Sequence, residues 1–169
     1  MNLSMDWIYD ASLQISFKDK TPLLLKECIS LDCDWDYVHQ NINENTIWLG
    51  NGSFIVEELS ESDNVPTFNT INIISNTLKE HFDPRTGDVS THMYCSLTSL
   101  SKTLGDHMDT ADVFFCGAIG QTVFEINDRK YTVTPGDVLY IPRSVNHNPK
   151  PKGARVGFSI GLEHGRHDT

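Results

Sequence analysis

The residues best suited to chemistry are His107, Asp109 and His147. His107-Met108-Asp109 sets an imidazole and a carboxylate two positions apart, and on an extended chain that spacing sends both side chains to the same side. His147 follows 38 positions after Asp109 (147 − 109), room enough for two hairpins to bring it back beside them. Two imidazoles and one carboxylate on one face of a cation leave the opposite positions open. That facial set suits non-haem Fe(II), which must hold a substrate or co-substrate together with O₂. A lone HxD carries little information. Here it is followed by the turn Pro135-Gly136-Asp137, the apolar run Val138 to Ile141, and a loop through Pro142 and Ser144 that reaches His147.

The elements that must hold these residues read as mostly β. Lys18, Asp19, Lys20 and Pro22 interrupt the stretch from Phe17, so a turn should precede a short strand through Leu23, Leu24 and Leu25. Cys33 to Asn41 reads as a helix, with Asp34 near its start and Trp35, Val38 and His39 on one face. Thr46 to Leu49 and Ser53 to Leu59 read as strands around Gly50-Asn51-Gly52, and Ile71 to Phe82 as a helix. Asp83 to Asp88, rich in turn residues, reads as a loop. Beyond it, Thr91 to Leu100, Val113 to Cys116, Gln121 to Ile126, Lys130 to Val133, Val138 to Ile141 and Val156 to Leu162 read as strands, with a hairpin turn at Asn127-Asp128-Arg129. Short strands joined by tight turns point to an antiparallel barrel, most specifically a jelly roll.

Composition narrows the partners. Thirteen basic against 23 acidic residues leave a formal charge of −10, which argues against non-specific binding to nucleic acid or an anionic membrane. At 38% hydrophobic and 21% charged, the 169 residues fit one ordinary domain: strands and helices in 1–85, a core barrel in 86–163 and a tail in 164–169. No apolar run spans a bilayer and the N-terminus has no secretory signal, so a cytoplasmic address is expected. Cys28, Cys33, Cys95 and Cys116 lack CxxC spacing and are expected as reduced thiols.

The segment from Gly105 to Pro151 resembles the JmjC-type and ribosomal-oxygenase-like branch of the cupin superfamily. HMDTADVFF, Gly120 after it, and GDVLYIPRSVNH carry the likeness; upstream, TPLLLKECISLDCDW resembles that branch's opening strand and Trp-containing helix. The resemblance implies a cupin double-stranded β-helix (a jelly roll) with a few N-terminal helices. It also implies an oxygenase that uses Fe(II) and 2-oxoglutarate to hydroxylate a protein or small-molecule substrate. By position, His107, Asp109 and His147 take the iron-ligand roles, and Ser159 matches a small polar position facing the site. Four-ligand metal cupins carry HxH and a Glu four residues on; Asp109 and Val113 occupy those positions here, which disfavours that site.

One position departs from the branch. Its members place a Lys or Arg about 13 residues after the HxD carboxylate, where the cation meets the far carboxylate of 2-oxoglutarate. Here that residue is Thr122, which can hydrogen-bond a carboxylate without neutralising it. Either another cation substitutes, with Arg155 and Lys102 as candidates, or the co-substrate differs, or it has been lost. Tyr94 and Ser96, on one face of the strand before the HxD, are further candidates to meet a bound carboxylate. Asn146 and Asn148 flank His147 and are candidates to orient it. His39, His81 and His92 have no partners at ligand spacing, His164 and His167 fall in the tail, and Trp7, Trp35 and Trp48 are expected in the core or a subunit contact, which leaves a homodimer open. Two other readings stand beside the oxygenase: a metal cupin acting on a small molecule without 2-oxoglutarate, and a non-catalytic cupin that binds metal or ligand.

Overall fold

The fold comes from a computed structural model that describes residues 4–59, 66–82 and 88–163. After a 3-10 turn at Asp6–Tyr9, helix α1 (Ala11–Asp19) starts at Asp10, whose carboxylate accepts from Ser12 N at 2.8 Å. It ends where Lys20 turns left-handed at φ 53°. The charges at 18–20, expected to interrupt the chain, lie on and just past its last turn, while Leu13 and Ser16 turn inward. Strand β1 (Leu23–Leu25) is where the sequence places it. Helix α2 (Trp35–Asn41) is capped by Asp34, which accepts from Tyr37 N at 2.8 Å. Its buried face is Tyr37, Val38 and Asn41; Trp35 and His39 point to solvent, a one-residue rotation from the expected face.

Strands β2 (Ile47–Trp48) and β3 (Ser53–Val56) form the hairpin around Gly50-Asn51-Gly52. Helix α3 (Pro66–Phe82) begins five residues before the expected Ile71 (71 − 66) and buries Thr67, Ile71, Ile74, Ser75 and Leu78, a helical stripe. Then follow β4 (Val89–Ser96), β5 (Asp112–Ile119), β6 (Thr122–Ile126), β7 (Arg129–Val133), β8 (Val138–Ile141), β9 (His147–Pro151) and β10 (Arg155–Leu162). Asn127 and Asp128 both have positive φ, the signature of the tight turn that joins β6 to β7. The expected loop at 83–88 and the tail at 164–169 fall outside the described residues, apart from Asp88.

Two antiparallel sheets result. The larger has the order β1-β8-β5-β10-β4-β3-β2, the smaller β7-β6-β9. Side chains alternate across the larger sheet. Its outer face sends Met93, Phe114, Tyr140 and Phe158 against Ile8, Leu13, Ile74 and Leu78 of the helical layer in one buried cluster. Its inner face sends Val113, Phe115, Leu139 and Ile141 against Phe124, Ile126 and Val133 of the smaller sheet. The fold is thus mainly β, a cupin-type jelly roll with N-terminal helices on one sheet. Trp7 joins the core, whereas Trp35 and Trp48 are exposed. Among the described residues, no helix is long and apolar enough to cross a membrane.

Strand β9 is absent from the sequence reading, which has a loop up to His147. Pro149 and Pro151 argue against a strand there, because proline cannot donate to a ladder. β9 pairs with β6 and lies at the margin of the smaller sheet, where the missing N–H groups are tolerated.

Candidate metal centre

His147 opens β9, opposite Ile126 of β6. On its other side it pairs with His107 across a single antiparallel bridge: His107 N donates to His147 O at 3.0 Å, and His147 N to His107 O at 2.9 Å. His107 and Asp109 therefore lie on an extended connection that makes one bridge, not on the strand assumed from their spacing. The connection is held again two residues on, where Ser144 N donates to Asp109 O at 2.8 Å. The imidazole centroids are 4.2 Å apart.

Each ring has a backbone partner on Nδ1: Gly105 O for His107 at 2.9 Å, and Val145 O for His147 at 3.0 Å. A carbonyl only accepts, so both Nδ1 atoms carry the proton and both Nε2 atoms present a lone pair. Those Nε2 atoms face Asp109, at 3.8 Å for His107 and 3.4 Å for His147. The three ligand atoms lie within 4.8 Å of one another. His147 is buried, Asp109 half-exposed. When His147 is protonated, its Nε2–H donates to Asp109, and that contact holds the carboxyl below its ordinary range despite its partial burial. Burial pulls the His147 imidazole down, but Asp109 and the Val145 carbonyl outweigh it and raise the pKa. Such a cluster is poised to exchange a proton for a cation.

A small cavity of about 30 Å³ adjoins the triad, lined among others by Tyr94, Phe115, Phe124, Arg155 and Ser159. Tyr94 stands on β4 and Ser159 on β10, both on the inner face of the larger sheet. Burial pushes the Tyr94 hydroxyl up to about 12, so it stays protonated and can donate. Arg155, first residue of β10, is 2% exposed. Its Nε donates to Ser96 Oγ at 3.1 Å, and its Nη1 has no hydrogen-bond partner among the described residues. Burial depresses its pKa to about 10, which leaves it charged at neutral pH.

The other candidates are placed differently. Lys102 is exposed and runs along Gly50, outside the residues lining the cavity. Thr122 is buried on β6, also outside that lining. Ser96 reaches the cavity only through Arg155. Asn146 and Asn148 line a separate polar groove with Glu125 and Lys130. His92 is half-buried in a groove shared with Asp109, Ser159 and Glu163. His39 is exposed, and His81 bonds Gln14 at 2.9 Å. His164 and His167 lie outside the described residues. Sequence reasoning missed Ser53 and Gly157. Ser53 Oγ lies 3.4 Å from Ser96 Oγ. Gly157 is covered by the Phe115 ring, which a Cβ would meet at 2.1 Å. The alternation Gly157, Ser159, Gly161 was a usable signal for a strand face that a side chain or ligand approaches closely.

Comparison with known proteins points the same way. The JmjC domain family matches residues 119–168, a stretch that contains His147 and Arg155 and begins after His107 and Asp109. No curated protein matches the sequence. Among solved structures, the fold resembles the Escherichia coli ribosomal oxygenase YcfD at TM-score 0.70 and 16% identity, over 98% of this chain and 54% of that one. The same protein in complex with cobalt and 2-oxoglutarate matches at TM-score 0.64 and 15% identity, with 98% and 54% covered. The chain therefore spans about half the length of these relatives. The family match is thus to the JmjC domain over part of the chain, and the likeness to YcfD is one of fold.

Proposed function

We propose that the chain is an oxygenase dependent on Fe(II) and 2-oxoglutarate. The donor set fits the metal: two neutral imidazole nitrogens with fixed tautomers and one carboxylate, on one side of an open cavity. The observation that carries the co-substrate is Arg155, a buried cation that lines that same cavity and whose Nη1 has no hydrogen-bond partner among the described residues. Such a group is costly unless an anion meets it. It supplies the positive charge that Thr122 does not.

In this reading His107, Asp109 and His147 hold the metal. Arg155 pairs with the far carboxylate of 2-oxoglutarate, with Tyr94 and Ser159 as neutral donors on the same wall. When bound, iron and 2-oxoglutarate supply the oxidation: substrate C–H, O₂ and 2-oxoglutarate give substrate C–OH, succinate and CO₂. The chain's own part is to orient the co-substrate, exclude water with Phe115 and Phe124, and select what approaches the half-exposed Asp109 side. A protein side chain in the cytoplasm is the substrate that the ribosomal-oxygenase likeness favours.

Aerobic incubation with Fe(II) and 2-oxoglutarate tests this. Succinate should form and require both additions. An iron-loaded protein that forms no succinate and shows no calorimetric binding of 2-oxoglutarate overturns the proposal.

A further inference from the structure

Behind Arg155 lies a chain of buried hydroxyls on β3 and β4. Ser53 Oγ donates to Cys95 O at 3.1 Å, and Ser53 Oγ and Ser96 Oγ are 3.4 Å apart. Arg155 Nε reaches Ser96 Oγ at 3.1 Å. Ser53 and Ser96 are both buried. The direction of every bond is determined. A guanidinium only donates, so Ser96 accepts from Arg155. A hydroxyl has one proton, and Ser53 spends its own on the Cys95 carbonyl, so Ser96 donates to Ser53. The order is therefore Arg155, Ser96, Ser53, Cys95 carbonyl, each hydroxyl proton used once. The register supports it, since Ser96 sits opposite both Arg155 on β10 and Ser53 on β3.

We infer that this serine relay is a positioning device that makes the cavity selective for an α-keto acid with a second carboxylate. It rests on the co-substrate reading above. Ser96 takes up Nε and so fixes the plane of the guanidinium. That leaves Nη1, which has no hydrogen-bond partner among the described residues, for an anion. The relay contributes no charge of its own and touches no ligand. Its effect should be confined to the far carboxylate, since the keto acid end is held elsewhere.

The test uses two ligands of equal length. 2-Oxoglutarate and 2-oxovalerate share the keto acid end, but the second ends in a methyl group. Each is titrated by calorimetry into Mn(II)-loaded protein, wild type, Ser96→Ala and Ser53→Ala. Wild type should prefer 2-oxoglutarate by at least about tenfold, the worth of one charged hydrogen bond. Ser96→Ala should lose most of that preference while 2-oxovalerate binds as before. Ser53→Ala, which leaves the Arg155–Ser96 bond in place, should lose a smaller part and serves if Ser96→Ala does not fold. A preference retained in the variants overturns the relay alone. Wild type binding neither acid overturns the co-substrate reading as well.

Discussion

His107 and His147 exchange both backbone hydrogen bonds across one antiparallel bridge, although 39 residues separate them (147 − 108). The bridge brings the imidazoles within 4.2 Å, and the carbonyls of Gly105 and Val145 fix their tautomers before any cation arrives. A metal therefore has little to organise beyond the Asp109 carboxylate. Nitrogen NMR of the metal-free protein above the histidine titration should find both rings protonated on Nδ1. Either ring protonated on Nε2 would remove the preorganisation.

Arg155→Met should separate function from stability. The side chain volume is roughly kept and a buried, half-satisfied cation is removed, so the unfolding midpoint should hold or rise. Affinity for 2-oxoglutarate should fall about 10- to 100-fold, as expected for loss of a charge-assisted contact. Thermal unfolding and calorimetry on the same sample check both halves.

Asp137 holds β1, the β7–β8 turn and Lys26 together. Its carboxylate accepts from Glu27 N at 3.0 Å, from Thr134 N and Thr134 Oγ1 at 2.8 Å each, and from Lys26. Burial alone would raise its pKa, yet these donors win and lower it. A lowered folded pKa means stability present above the unfolded value of about 3.9 and lost as pH falls through the folded one. Asp137→Asn should cost about 2 kcal/mol at neutral pH, and the gap to wild type should close in acid. Urea unfolding at several pH values measures it; a gap that widens in acid has the wrong sign.

Gly157→Ala puts a methyl group 2.1 Å from the tip of the Phe115 ring, and Phe115 lines the cavity. The ring must shift. Overpacking of this kind costs about 1–3 kcal/mol, and 2-oxoglutarate binding should weaken with it. Phe115→Leu combined with Gly157→Ala should recover part of both losses by making room.

Much of the frame was legible because local signals agreed with the final packing. Val138 to Ile141 is β8 without change, and Asp34 caps α2 as an acidic residue at a helix start should. Asn127 and Asp128 make the expected turn. What stayed hidden depended on neighbours distant in sequence. β9 exists because β6 pairs with it in spite of two prolines. α1 turns its charges outward, which reads as an interruption when the partner surface is unknown. In the site, the triad was legible from residue types, but the burial of Arg155 was not. Nothing near Lys150 and Lys152 distinguishes it as the cation that β3 and β4 enclose.

Metal content decides whether His107, Asp109 and His147 hold an ion. Wild type and Asp109→Ala are reconstituted with Fe(II) without oxygen, freed of excess metal, and assayed by mass spectrometry alongside circular dichroism to establish folding. Wild type should retain about one iron per chain, and a folded Asp109→Ala variant little or none. A folded Asp109→Ala variant with wild-type iron content would rule out Asp109 as a ligand.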